Sequence, residues 1–419
     1  MGRDIYAESL ALHERHHGKI GIRGKVAVRT AHDLGLTYTP GVAGVSRQVA
    51  ADPDLAYRYT LKANTVAIVS DGSAVLGLGD IGGYGAIPVM EGKALLFKEF
   101  AGIDAFPICF ADKGQDLVGQ IRNIAPVFGG INLEDIAAPR CFAIEEALQD
   151  LGIPVMHDDQ HGTGVVVLAA LVNACRVLGK DFADLTIVVS GGGAAGYGVA
   201  RLLTCLGMDR HLCTPVWDII VCDSKGTLHR GRQDLLTVPH KYILAHETNR
   251  HDLDGTLADA LVGADVFIGV SAPGIVTAEM VGSMHDDPVV LALANPVPEI
   301  MPDEASAAGA AVVGTGRSDF PNQVNNVLAF PGIFRGALDA AASRITDEMK
   351  LAAAAALAAT VDDPRPDHIL PDVLDRRVTG AVAAAVHEAA VQGGCARRHP
   401  EEVDSSAGTG REYRGTHPP

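Results

Sequence analysis

The stretch VMHDDQHGTG, residues 155–164, places two adjacent carboxylates, Asp158 and Asp159, between His157 and His161, directly after an apolar run. Adjacent carboxylates repel each other, and burying them together is tolerated when a cation sits beside or between them. A second acidic pair, Glu134–Asp135, ends another apolar-to-polar transition, FGGINLED, 24 positions (159 − 135) before Asp159. One helix and one strand fit between the two pairs, so both can meet at neighbouring strand ends. An all-oxygen donor set suits Mg²⁺ or Mn²⁺ better than zinc. His157 and His161 would favour zinc only as ligands, and their flanking positions read instead as hydrogen-bonded supports.

The second chemical signature is a glycine turn. Gly191, Gly193 and Gly196 satisfy G-x-G-x-x-G between a β-branched run, TIVVS, and a helical run, AAGYGVARLL, that opens with Ala194 and Ala195. Asp223 ends the next strand, IIVCD, 27 positions (223 − 196) beyond the last glycine. That context predicts a dinucleotide site. The glycines admit the pyrophosphate to the backbone, the helix N-terminus offers it N–H groups, and the acid accepts the adenosine ribose hydroxyls. Asp223 favours NAD, whereas Lys225, Arg230 and Arg232 nearby could hold the 2′-phosphate of NADP.

The elements that must position these groups form two blocks. Residues 1–160 read as an N-terminal α/β domain. TVAIVSD, AVLGLGD, AFPICF, VFGGIN and IPVMHDD are expected as strands, with the helix PVMEGKALLFKEFAG among them. Residues 161–390 read as a Rossmann-like doubly wound parallel sheet with C-terminal helices. The buried helix GTGVVVLAALVNACRVLGK leads in, and DIIVCD, ADVFIG, PVVLALA and AAVVGT are further strands. Residues 391–419 are polar and rich in Gly, Pro and Ser, and are expected to form a disordered tail.

Composition bounds the reading. At 419 residues the chain exceeds one ordinary core. Its formal net charge of −17 disfavours nucleic acid and anionic membranes as partners, leaving small molecules. Seven cysteines, without a C-x-x-C pair, read as reduced thiols of a cytoplasmic protein. The N-terminus is too polar for a signal peptide, and the apolar run Gly164–Cys175 is too short to cross a bilayer.

In five stretches the chain resembles a malic enzyme of the short, single-module bacterial type: LTYTPGVA, NTVAIVSDGSAVLGLGDIG, GINLEDI, HDDQHGTG and TGRSDFPNQVNNVLAFPGIFRGALD. The last is the most specific. The resemblance implies metal-dependent oxidation of L-malate by NAD(P)⁺ and decarboxylation to pyruvate, in a homodimer or larger homo-oligomer. It implies metal ligands at Glu134, Asp135 and Asp159, a general base at Lys93, a partner acid at Asp158 and a general acid at Tyr38. Thr163 and Asn295 fall on cofactor contacts, and Asn295, Asn325 and Asn326 on substrate contacts. Read without the resemblance, Lys93 is a solvated helix lysine, and Tyr38 and the asparagines are turn residues. The sequence departs from its relatives at Ala74, where larger members carry a carboxylate-binding arginine, and at Gly164 and Gly332. Three alternatives stay open: a malolactic enzyme that retains NAD and releases lactate, a non-catalytic dinucleotide sensor, and a metal-free dehydrogenase.

Overall fold

The computed structural model describes residues 4–111, 116–209, 211 and 213–397. Two sheets organise it. The first contains β1 (Thr65–Ser70), β2 (Asp104–Cys109), β3 (Gly130–Leu133) and β4 (Val155–His157), all parallel, in the order β2-β1-β3-β4. Short β-branched runs such as TVAIVS lie fully buried, as expected for strands covered on both faces. The second contains β5 (Thr186–Ser190), β6 (Asp218–Asp223), β7 (Gly226–Thr227), β8 (Val266–Gly269), β9 (Val289–Ala292) and β10 (Val312–Thr315), in the order β10-β9-β8-β5-β6-β7. Among the described residues of this sheet only the β6–β7 pair is antiparallel. β5 lies between β6 and β8, so the chain changes winding direction beside the glycine turn, the usual place for a nucleotide in such a sheet.

Register places the acids. Val69 pairs with Leu133, and Leu133 with His157. The residues immediately beyond these positions are Ser70–Asp71, Glu134–Asp135 and Asp158–Asp159, so three adjacent strand ends deliver their polar residues to one edge.

The helix Asp158–Leu178 begins at the first of the paired aspartates. Asp158 and Asp159 therefore occupy a helical first turn, where the partial positive charge of the N-terminus favours them. Its 21 residues are long and apolar enough to cross a bilayer, contrary to the shorter run read from sequence, but most of this helix is packed inside the core. Asn173 within it donates to the carbonyls of Ala358 and Ile369, both at 2.9 Å. The helices Gly82–Ala101, Phe330–Asp339, Asp347–Ala359 and Arg376–Gln392 complete this core, with Phe97 edge-on to Phe330 and Phe334 at 4.7 and 5.4 Å.

Three expectations are corrected. AVLGLGD forms a short 3-10 turn, Leu76–Leu78, instead of a strand; Gly77 meets backbone, as a Cβ there would lie 2.4 Å from the Asn295 carbonyl. Cys205 and Cys213 form a disulfide that closes the loop after the helix Ala194–Leu203, whereas Cys109, Cys141, Cys175, Cys222 and Cys395 are free thiols. The expected tail begins too early, because the last helix runs to Gln392 and Arg397 donates to the Gly152 carbonyl at 2.7 Å; residues 398–419 lie outside the described residues.

Candidate active site

Lys93 projects from the middle of the helix Gly82–Ala101 and is only 8% exposed, which excludes the solvated-lysine reading. Its Nζ bonds Glu134 Oε1 at 2.8 Å and Asp158 Oδ2 more tightly still, and it lies 4.1 Å above the Phe330 ring. Burial would strip the proton from this ammonium. Asp158 and Glu134 outweigh burial and hold its pKa above the usual lysine range.

The acids divide by environment. Burial, reinforced by the charges of Asp159, Asp158 and Asp135, pushes Glu134 well above the carboxylate range despite Lys93. Burial likewise raises Asp158, with Asp159 adding to it against Lys93. Burial opposes ionisation of Asp159 as well, but His157 beside it and the Asp135 N–H hold it below its usual value. The Asp135 N–H donates to Asp159 Oδ2 at 2.9 Å, and His157 Nε2 lies 3.2 Å from the same oxygen. Asp135 adopts a left-handed backbone with φ 54°, which turns this N–H toward the neighbouring strand end.

Glu134, Asp135 and Asp159 each offer a carboxylate oxygen within 4.8 Å of the other two. With Asp158, they concentrate four acids on one lysine and one histidine. This local surplus of negative charge and all-oxygen donor set fit a hard divalent cation. Asn132 donates to Glu134 Oε2 at 2.8 Å and orients it. Asn326 donates to Asp158 Oδ2. Gly162 permits that approach, because a Cβ there would fall 1.9 Å from Asp158 Oδ1 and 3.1 Å from Asn326 Cβ.

The remaining predicted residues are less tightly gathered. Tyr38 ends the short helix Ala31–Thr37 and is 67% exposed, making no hydrogen bond to the Lys93 cluster. Asn325 accepts the Val327 N–H at 3.0 Å, a turn role that leaves its amide nitrogen for other partners. Asn295 lines a cleft of about 510 Å³ with Tyr6, Gly316, Arg317 and Gln323. Thr163 is half-buried in the second turn of the helix that carries Asp158. Ala74 donates its N–H to the Asp135 carbonyl at 3.0 Å and has no side chain to grip a carboxylate. At Gly332 a Cβ would stand 2.7 Å from Val382 Cβ, so this helix contact excludes a larger residue.

At the glycine turn, Gly191 has φ 121° and Gly196 packs directly on it, a Cβ there falling 1.7 Å from the Gly191 carbonyl oxygen. Ala194 and Ala195 open the following helix. Asp223 is bound by Arg232 at 2.8 and 3.2 Å, by Lys241 at 2.7 Å and by the Lys225 N–H at 2.9 Å. Against burial, these partners hold the Asp223 carboxyl down to about 2. Of the expected cations only Arg232 sits on Asp223 through its side chain: Lys225 Nζ pairs with Asp234 and Arg230 with Asp252. Lys241 was not anticipated, since it lies on a separate helix, Pro239–Glu247, and no local pattern announces it. It also reaches the turn itself, as a Cβ on Gly192 would stand 3.2 Å from Lys241 Cε. Asn132, Glu145 and Phe330 are further unanticipated supports, through their contacts with Glu134, His157 and Lys93 respectively.

Comparison with known proteins agrees with this architecture. The model of the malic enzyme NAD-binding domain matches residues 160–391, and that of the malic enzyme N-terminal domain matches residues 17–116. The bifunctional malic/malolactic enzyme of Bacillus subtilis is 52% identical over 402 residues, covering 94% of this chain and 96% of its own. The NAD-dependent malic enzyme of Geobacillus stearothermophilus is 52% identical over 385 residues, covering 91% and 78%. The crystal structure of the NAD-dependent malic enzyme of Thermotoga maritima superposes with a TM-score of 0.86 at 48% identity, covering 90% of this chain and 98% of its own. A chain matched across both domains, at such identity and nearly end to end, belongs to the malic enzyme family.

Proposed function

We propose that this protein oxidises L-malate with NAD(P)⁺ and decarboxylates the product to pyruvate and CO₂, with a divalent cation held by Glu134, Asp135 and Asp159. The observation that carries this reading is the buried Lys93–Asp158–Glu134 cluster beside the other two acids. An Mg²⁺ or Mn²⁺ ion bound there supplies Lewis-acid polarisation of the 2-oxygen and of the keto acid that loses CO₂. A dinucleotide seated on Gly191–Gly196 supplies the hydride acceptor.

Lys93 accepts the 2-hydroxyl proton as the hydride departs. It starts as an ammonium, so it must first release a proton. Asp158, bonded to Nζ and raised by burial toward protonation, is the group placed to receive it. Asn326 fixes the Asp158 oxygen that faces Nζ, and Asn295 and Asn325 offer neutral amides to the substrate carboxylates and the carboxamide. Tyr38 then protonates C3 of the enol. Tyr38 is exposed, and the N-terminal segment also leaves Ile5, Leu10, Ile22, Leu36, Val42 and Val45 exposed. Such an apolar N-terminal surface supports a homodimer or larger homo-oligomer, which light scattering on the purified chain tests.

A second reading has an observation behind it, because the B. subtilis relative is named a bifunctional malic/malolactic enzyme. One experiment separates the two: absorbance at 340 nm with L-malate and Mn²⁺, in parallel with NAD⁺ and NADP⁺, with pyruvate and lactate quantified. Pyruvate equal to reduced cofactor supports oxidative decarboxylation. Lactate without net reduction supports the malolactic reaction, and no turnover refutes both.

A further inference from the structure

Asp158 and Asp159 depend on how the first turn of their helix is held. That helix follows β4, the edge strand of its sheet, so the outward N–H of His157 has no strand neighbour. His157 is also the N-cap of the helix, and its side chain makes no capping bond. The vacant partner is supplied by Glu145, from the helix Arg140–Ala147. Oε1 of Glu145 accepts the His157 N–H at 3.0 Å, and His161 Nε2 faces the carboxylate, 3.0 Å from Oε1 and 3.1 Å from Oε2. Histidines 157 and 161 are one helical turn apart and bracket the aspartates, so a single carboxylate grips the acidic turn on both sides.

Glu145 is 8% exposed, and burying a carboxylate is costly unless it is fully bonded. Its surroundings answer that cost: His161 faces it, and Lys350 lies near enough to favour its charge. Lys350 is itself paired with Asp347 at 2.9 Å, and Asp347 with Arg201 at 3.1 Å. A buried carboxylate so supported, whose contacts converge on the two residues flanking Asp158–Asp159, is placed to orient that pair.

We propose that Glu145 is a positioning residue that fixes Asp159 as a metal ligand by clamping His157 and His161. The proposal rests on the assignment of Asp159 to the metal. Residues that orient ligands typically change metal affinity about 10–100-fold when removed. The test is direct Mn²⁺ binding, read from the free-ion electron paramagnetic resonance signal, with neither substrate nor dinucleotide present. Wild type, Asp159→Asn, Glu145→Gln and Glu145→Ala are compared, with NAD⁺ binding by calorimetry as a control. In Glu145→Ala the Mn²⁺ dissociation constant should rise at least about tenfold. Glu145→Gln, which retains one acceptor, should give a smaller rise of about threefold or more, and NAD⁺ affinity should hold within about twofold in both.

If Asp159→Asn leaves Mn²⁺ binding unchanged, the ligand assignment fails and the proposal with it. If Asp159→Asn weakens binding but both Glu145 variants match wild type, the ligand assignment stands and the positioning role is overturned. Should Glu145→Ala not fold, the isosteric Glu145→Gln decides alone, and a lowered melting temperature with unchanged Mn²⁺ affinity also overturns the proposal.

Discussion

Replacing Lys93 by alanine tests the centre of the site twice, through stability and through chemistry. Nζ lies 2.8 Å from Glu134 Oε1, and at an effective dielectric of about 20 that contact alone is a gross attraction of about 6 kcal/mol. Much of it offsets the desolvation of both ions. Removing one partner of a buried pair costs about 3–5 kcal/mol net, because the other charge is left stranded. Here two carboxylates are stranded, so the upper half of that range is expected for Lys93→Ala without metal. Urea unfolding at fixed protein concentration, with EDTA and then with Mn²⁺, measures it, and Mn²⁺ should recover part of the loss. On the chemical side, loss of a general base slows reaction by about 10²–10⁴, or about 3–5 kcal/mol of barrier. Malate oxidation should fall by that amount, whereas decarboxylation of added oxaloacetate, which requires no hydroxyl proton transfer, should survive in part. A stability loss under about 1 kcal/mol would refute the buried double ion pair. Equal loss of both partial reactions would refute the division of labour between Lys93 and the acids.

Asp159→Asn should raise the Mn²⁺ concentration needed for half-maximal activity by an order of magnitude or more, and an unchanged metal titration would remove Asp159 from the ligands. Lys241→Ala removes one of the partners of Asp223 and deletes a cation beside the glycine turn, so the KM for NADP⁺ should rise relative to that for NAD⁺; an unchanged ratio would show that Lys241 does not meet the 2′-phosphate. Gly196→Ala drives a Cβ to 1.7 Å from the Gly191 carbonyl oxygen, so NAD⁺ binding by calorimetry should be lost before malate binding is affected. For Asp223 the folded pKa lies below its unfolded value, so its ion pairs stabilise above the unfolded pKa and are lost as pH falls toward about 2. Between pH 5 and 2, Asp223→Asn should therefore lose less stability than wild type, as read by thermal melts.

What sequence could and could not reveal follows from the range of each interaction. The glycine turn, the strand before it and Asp223 were legible because their chemistry is local: a tight turn requires Gly191 and Gly196 whatever the rest of the chain does. The acidic pairs were legible for a related reason, since a carboxylate at the end of an apolar strand is conspicuous, and parallel register then aligns neighbouring strand ends. The 3-10 turn at Leu76–Leu78 was misread as a strand because apolar alternation cannot report that Gly77 packs on the backbone of Asn295, more than two hundred residues further along the chain. The Cys205–Cys213 bridge was missed because spacing gives no measure of whether two thiols face each other. The ionisation of Lys93 was undecidable in sequence for the deepest reason. Burial pulls its proton off and two carboxylates hold it on, and only geometry tells which is larger. The geometry favours the ammonium, and under the proposed function that makes Asp158, bonded to Nζ, the group placed to take its proton. Under the proposed function the adjacency of the two aspartates has a physical reason: burial raises the first toward protonation beside Lys93, while His157 and the Asp135 N–H hold the second as an anion suited to a metal.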